Sequence, residues 1–283
     1  MAVSLQDFLS FASPSLKALF LAIAGQAKHI KTDFLAHSHF TESKNIFGEQ
    51  QLELDKWSND LILQAAKKSG IVSSLASEEL EKIEKFYTKK PGWGIVVDPL
   101  DGVSCVATNL SVGTIVGFFP NGNVLDKGSA LEASLFVLYG PLTTMVCAFK
   151  GRGAHEFVFD EKTNEFVLRQ KNILIPKGTI FGSGGLKSKW TKEHSAFISE
   201  LERLGYKVRF SGSLTADFNQ VLHYGGLFCY PELTDAPQGK LRLLFEANPL
   251  ALIALEAGGS CTNGQKSILE IVPKGISDRT PLF

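Results

Sequence analysis

Apolar and polar positions alternate in different periods along the chain, and the changes of period mark its elements. Leu16, Leu19, Phe20, Ile23, Ala27, Ile30 and Phe34 recur at helical spacing, with Ser13 as N-cap and Pro14 at the first helical position. The polar stretch 36–50 reads as a mobile loop. A second helix is predicted at 56–69, after Asp55, on Trp57, Leu61, Leu63, Ala65 and Ala66. Short apolar runs predict strands at 71–76, 93–97 and 112–119, the last followed by a Pro-Asn-Gly turn. Residues 130–139 fit helix or strand equally well. Residues 143–149, 155–159 and 165–168 read as an antiparallel group joined by turns rich in Gly, Asp and Asn. Further on, strands at 179–181, 227–230 and 241–245 mix with helices at 192–204, 214–223 and 249–257. This is an α+β chain of two closely packed halves, 1–175 and 176–283.

Composition narrows the partners. The 283 residues carry 29 Lys+Arg against 29 Asp+Glu, whereas a duplex-binding protein needs excess cations to displace counterions. Nucleic acid is excluded on that ground; a small phosphorylated ligand, which takes only a few local cations, is not. The longest apolar run, 16–24, is interrupted by Lys17 and too short to span a bilayer, so no membrane partner is expected. Met1 to Ser15 carries only Asp7 as a charge, which is unlike a secretory signal, so a cytoplasmic protein is expected. Cys105, Cys147, Cys229 and Cys261 form no metal or redox spacing and read as reduced thiols. His37 and His39 read as exposed loop residues rather than ligands.

The chemistry concentrates in Gly94-Ile-Val-Val-Asp98-Pro-Leu-Asp101-Gly-Val-Ser104. A buried strand delivers two carboxylates three residues apart, where proline and glycine are expected to turn the chain. Two aspartates in such a turn can converge on one hard cation, and Gly102 to Cys105 can open a helix whose amides face an anion. The plain alternative is a strand end with two solvated aspartates. Other acids close apolar segments: Glu78 and Glu79 follow the strand at 71–76, and Glu246 is expected to end the strand at 241–245. A carboxylate partly buried in that way needs a partner, which a shared cation would supply.

Asp98-Pro-Leu-Asp-Gly-Val-Ser with Val112-Gly-Thr-Ile resembles the signature of class I fructose-1,6-bisphosphatases. So do Leu54-Asp-Lys-Trp-Ser-Asn-Asp60, Ala76-Ser-Glu-Glu79, Tyr224-Gly-Gly and Gly239-Lys-Leu-Arg-Leu-Leu-Phe-Glu-Ala-Asn-Pro249, in order, closing on Asp278-Arg-Thr-Pro281. Sedoheptulose-1,7-bisphosphatases share most of these motifs, and Gly140-Pro-Leu-Thr-Thr with His155-Glu-Phe is as similar to that branch. The resemblance implies the layered α-β-α-β-α sandwich of the lithium-sensitive phosphatase superfamily. It also implies Mg²⁺, two or three per site with Mn²⁺ or Zn²⁺ as substitutes, on Glu78, Asp98, Asp101, Glu246 and the Leu100 carbonyl, with Glu49 as a further loop ligand. By the same resemblance Asp55 and Glu79 orient and deprotonate the attacking water. Ser104 and Arg242 receive the scissile 1-phosphate, and Tyr230 and Lys240 hold the far phosphate. Arg209 comes from a neighbouring subunit, which implies a homotetramer acting on a sugar bisphosphate.

The chain also departs from the family pattern. Phe210 replaces a phosphate-binding Tyr, and Phe181-Gly-Ser-Gly-Gly185 replaces an Asn-Glu-Gly-Tyr segment that binds sugar phosphate. Val103 and Cys105 replace a Ser and an Asn, and Asp235 stands where some members have Lys. Gly92-Trp93 occupies a Lys-Tyr pair of the AMP-inhibited members, so weak or absent AMP inhibition is expected. No clustered cysteine insertion of the light-regulated kind is present, so no thiol switch is expected.

Overall fold

The computed structural model describes residues 3–37, 40–44, 50–88 and 91–283. Short helices α1 (Leu5–Phe8) to α4 (Phe34–His37) open the chain: α2 is Pro14–Ala24 and α3 Gln26–Thr32. The single helix expected from the spacing is therefore broken at Gly25 and Asp33, although Leu16, Leu19, Phe20, Ile23, Ala27 and Ile30 do form one buried stripe. Of the expected loop, 36–37 end α4, 40–44 and Gln50 belong to antiparallel strands β1 (Phe40–Lys44) and β2 (Gln50–Leu52), and 38–39 and 45–49, including Glu49, lie outside the described residues. Helix α5 (Glu53–Ser69) takes Asp55 into its first turn rather than ahead of it. His37 ends α4, stacked on Trp57 and 3.3 Å from Glu53, not in an open loop; His39 is outside the described residues.

An eight-stranded sheet forms the frame. Its strands are β3 (Val72–Ser77), β4 (Glu84–Lys85), β5 (Trp93–Asp101), β6 (Val112–Phe119), β7 (Ala133–Tyr139), β8 (Thr143–Phe149), β9 (Gly153–Asp160) and β10 (Glu165–Ile173). They run in the order β10-β9-β8-β7-β6-β5-β3-β4, antiparallel except for the parallel pair β3–β5. Residues 133–139 are thus strand, decided by a paired neighbour on either side. Successive side chains point to opposite faces. Ile95 and Val97, Val116, and Met145, Cys147 and Phe149 join the core beneath α2 and α5. Val96, Ile115, Val146 and Ala148 join a second core against helices of the other face. Both faces are covered, so these strands read as unbroken apolar runs.

The second core holds α8 (Leu214–Tyr224) and α9 (Asn248–Glu256). Beyond them lies a small parallel sheet, β12-β11-β13, built from β11 (Ile180–Ser183), β12 (Lys207–Val208) and β13 (Leu227–Cys229). Helix α7 (Lys192–Arg203) closes the outside, packing its Ile198 and Leu201 on Phe181 and Cys229. The stack is α-β-α-β-α. Among the described residues, no helix is long and apolar enough to cross a membrane.

Two local departures from the sequence expectation shape the site. The strand β5 continues through Asp98-Pro-Leu-Asp101 with a register shift, and the turn comes only at Gly102 (φ +84°), a backbone position suited to glycine. Helix α6 (Val103–Val106) follows at once. The strand expected at 241–245 is only β14 (Leu241–Arg242), paired with β15 (Arg279–Thr280); Leu243–Ala247 winds into a π-helical turn. Glu246 therefore projects from a helical turn and not from a strand end. π-turns of this kind re-aim a side chain and recur at functional sites.

Candidate active site

The parallel pairing of β3 with β5 puts the ends of both strands at one edge of the sheet, with Ser77 opposite Val97. The Glu78 amide donates to the Val97 carbonyl at 3.1 Å, which sets Glu78 and Glu79 beside Asp98. The π-turn brings Glu246 to the same place. Carboxylate oxygens of Asp98, Asp101 and Glu246 lie within 4.8 Å of one another, and all three residues are buried. Asp55, from the first turn of α5, is also buried, and it lines the same cavity of about 590 Å³.

Hydrogen bonds hold the bulged segment. The Leu100 amide donates to Asp98 Oδ1 (3.0 Å), and Thr114 Oγ1 donates to the Pro99 carbonyl (2.8 Å) with Tyr139 Oη 3.0 Å behind it. Asp101 is met by the first turn of α8: Ser213 Oγ at 3.0 Å, the Leu214 amide at 3.3 Å, and Thr215 through its amide and hydroxyl, both at 2.7 Å. Ser213 N-caps this helix, so the helix's free amides face a carboxylate. The sequence pattern did not single out Ser213, Thr215 or Asp217, which line or brace the cavity. The available signal was a serine ahead of a predicted helix, whose N-terminus favours an anion.

Burial first, then Glu78, Asp101, Glu246 and Glu79, pushes the Asp98 carboxyl well above the usual carboxylate range. Burial and then Glu78 do the same for Glu246, opposed by the Arg242 amide, which donates to its carboxylate. Burial also raises Asp101, against the lowering effect of its α8 donors. Three desolvated carboxylates that repel one another can all ionise only beside a cation. An all-oxygen donor set suits a hard divalent ion. The cluster therefore fits a metal.

Cations stand opposite. Arg242 is almost fully buried, with Nε 3.5 Å from Glu78 Oε1. Lys240 is exposed, its ammonium 5.8 Å from the centre of the Tyr230 ring, and both residues line the cavity. Ser104 is exposed on α6 at the cavity wall. Arg209 is exposed too, but it does not line its own chain's cavity. Thus Asp55, Glu78, Glu79, Asp98, Leu100, Asp101, Ser104, Tyr230, Lys240, Arg242 and Glu246 are brought together.

Two family models match the chain: the fructose-1-6-bisphosphatase N-terminal domain at residues 7–171 and the fructose-1-6-bisphosphatase C-terminal domain at 174–283. The class 1 fructose-1,6-bisphosphatase of Methanocorpusculum labreanum is 42% identical over 282 residues, covering 99% of this chain and 87% of its own length. That of Methanospirillum hungatei is 40% identical over 270 residues, covering 95% and 86%. The chain belongs to the class 1 fructose-1,6-bisphosphatase family. The crystal structure of Leishmania major fructose-1,6-bisphosphatase in holo form superposes with a TM-score of 0.93 at 29% identity, over 100% of this chain and 94% of that one.

Within this fructose-1,6-bisphosphatase family frame, the departures acquire positions. A side chain at Gly184 would come within 2.3 Å of the Tyr230 ring, so the glycine-rich segment is the floor on which Tyr230 lies. Ser183 in the same segment is bonded to His194 Nε2 at 2.9 Å. Asp235 pairs with Lys189 at 3.4 Å and does not line the cavity. Trp93 Nε1 donates to Ser15 Oγ (3.2 Å), and a side chain at Gly92 would lie 2.7 Å from the Ile71 carbonyl. That space admits no lysine.

Proposed function

We propose that this chain hydrolyses the 1-phosphate of fructose 1,6-bisphosphate, giving fructose 6-phosphate and inorganic phosphate. The observation that carries the reading is one cavity in which clustered buried carboxylates face Arg242 and Lys240. Asp98, Asp101, Glu246, Glu78 and the Leu100 carbonyl would hold Mg²⁺, with Glu49 as a further ligand and Mn²⁺ or Zn²⁺ as substitutes. The bound metal supplies neutralisation of charge on the phosphoryl and leaving oxygens. Asp55 and Glu79 orient a water for in-line attack on phosphorus and take its proton. Arg242, with Ser104 and the amides of α6, binds and aligns the scissile phosphate. Tyr230 and Lys240 bind the far phosphate, so the half 1–175 supplies the catalytic pair and most metal ligands, while 176–283 sets the grip on the sugar phosphate and adds Glu246 and Arg242 to the reacting end.

Arg209 follows β12, at the edge of the small sheet, and is exposed without lining its own cavity; that placement supports a homotetramer in which Arg209 completes a neighbour's site. The four cysteines are free and buried, in keeping with a cytoplasmic enzyme. The deciding assay is phosphate release from fructose 1,6-bisphosphate with and without Mg²⁺. Activity that requires the metal is expected; a protein inert towards all sugar bisphosphates in Mg²⁺ would sink the assignment.

A seven-carbon substrate, sedoheptulose 1,7-bisphosphate, is the second reading. Phe210, Phe228 and Leu241 give the cavity an apolar stretch of lining that would accept the longer sugar. Turnover of both bisphosphates side by side separates the two. On either substrate, Lys240→Ala removes an exposed cation that meets the far phosphate in ground and transition state alike. KM should rise about tenfold or more with kcat little changed, because uniform binding is lost. A fall in kcat alone would place Lys240 elsewhere. The packing of Gly92 and Trp93 supports weak or absent inhibition by AMP: titration of the nucleotide into the assay should leave the rate little changed, whereas inhibition at micromolar AMP would contradict it.

A further inference from the structure

Asp101 is held more closely by protein donors than any other carboxylate of the cluster for which partners are described. Its cross-strand neighbour on β6 is Gly113. A side chain at Gly113 would lie 2.5 Å from Thr215 Oγ1 and 2.6 Å from the Val137 carbonyl. The space beside Asp101 is thus filled from the next layer, by the Thr215 hydroxyl arriving on α8. Thr215 is fully buried, and its hydroxyl lies 2.7 Å from Asp101 Oδ2 and 3.0 Å from Ser213 Oγ.

We propose that Thr215 is a positioning residue for the metal carboxylate Asp101, admitted to it by the missing side chain at Gly113. The inference rests on the metal reading given above. Oδ2 receives Ser213 Oγ, the Thr215 amide and the Thr215 hydroxyl, whereas Oδ1 receives only the Leu214 amide at 3.3 Å. A carboxylate oxygen has room for about two strong donors, so Oδ2 is saturated and Oδ1 is left to face a cation. The donors also fix the carboxylate's rotation, so it need not be ordered when the metal binds. Hydrogen bonds that orient a ligating carboxylate typically contribute about 10–100-fold in metal affinity.

This arrangement gives the Val112-Gly-Thr-Ile motif a division of labour. Gly113 makes room for the Thr215 hydroxyl, and Thr114 secures the Pro99 carbonyl of the bulge. Neighbouring positions of one strand thereby brace the two ends of the Asp98–Asp101 segment. Valine at 215 keeps the shape of threonine but has no donor, and serine keeps the donor.

The test is Mn²⁺ binding to the full chain without substrate, followed by electron paramagnetic resonance, for wild type, T215V and T215S, with thermal melting of each. T215V is expected to bind Mn²⁺ about tenfold or more weakly, and T215S to remain close to wild type. A T215V protein that binds Mn²⁺ as wild type does overturns the proposal, whatever its melting temperature, because a purely structural role would move only the melting. If T215V does not fold, S213A removes another Oδ2 donor and must weaken Mn²⁺ binding; unchanged affinity again overturns it. Wild type that binds Mn²⁺ but hydrolyses no sugar bisphosphate would refute the proposed activity and leave the role of Thr215 to be decided by the same titration. Wild type that binds no Mn²⁺ removes the metal reading and this inference together.

Discussion

Glu79→Gln is expected to lower kcat on fructose 1,6-bisphosphate by about 10²–10⁴-fold, the range typical of losing a general base. Glu79 stands where β3 ends, its amide 3.3 Å from Ser77 Oγ, and it shares the cavity with buried Asp55 from a different layer of the fold. Glutamine keeps the size and can still orient water, but it cannot accept the proton. KM should therefore move little while kcat and kcat/KM fall together, which marks an interaction made in the transition state. Asp55→Asn should behave alike, and the double variant should lose little more than the worse single one if the two act as a unit. Steady-state phosphate release with saturating Mg²⁺ measures all three. An E79Q enzyme as active as wild type would remove Glu79 from the mechanism.

The second large effect concerns stability without metal. Asp98, Glu246 and Asp101 all have folded-state pKa values raised above their unfolded ones, with burial the first cause in each. Between the unfolded value and the raised one, the folded protein binds more protons than the unfolded chain. Stability from these groups is therefore fully present below the unfolded carboxylate range and lost as pH rises through the raised values. In a chelator, the melting temperature should fall as pH climbs from about 4 towards neutrality, opposite to the acid-sensitive behaviour of paired surface carboxylates. Added Mg²⁺ should reverse the trend at neutral pH. At 100 times its Kd the ion contributes about 2.7 kcal/mol. For a chain of this size that is a rise of roughly 5 °C. Asp98→Asn tests the cause directly. In a chelator near pH 8 it should melt above wild type, since an uncompensated buried charge is gone, and it should have lost most of its response to Mg²⁺. Equal melting of the two proteins with and without Mg²⁺ would refute the electrostatic account.

How the site is assembled explains which parts were legible in the sequence. Strands such as β5, β6 and β8 could be read because each alternates side chains between two cores, and both cores demand apolar residues. Helices α5, α7, α8 and α9 could be read from helical patterning alone. The ends of elements could not. Whether 241–245 stayed a strand depended on the pairing of β14 with β15, which stops after two residues and leaves the backbone free to wind into the π-turn. Likewise the bulge that carries β5 to Asp101 is visible only in the register with β6. Residues 130–139 were ambiguous for the same reason: a strand is chosen by its neighbours.

The sequence by itself determined the chemistry available: several acids ending apolar segments, two cations in Gly-Lys-Leu-Arg, and a neutral total charge that averages opposed clusters. It also determined the family, because the motifs follow in order. Only the tertiary structure decided that β3 and β5 run parallel side by side, so that acids about twenty residues apart share one edge of a sheet. Only it brought Glu246 and Asp101 to the same few ångströms and set α8 behind Asp101, with Thr215 in the space that Gly113 leaves. The reason is physical. Residue type follows local burial and period, whereas the distance between carboxylates separated by many residues follows from strand order and layer packing, which no single segment contains.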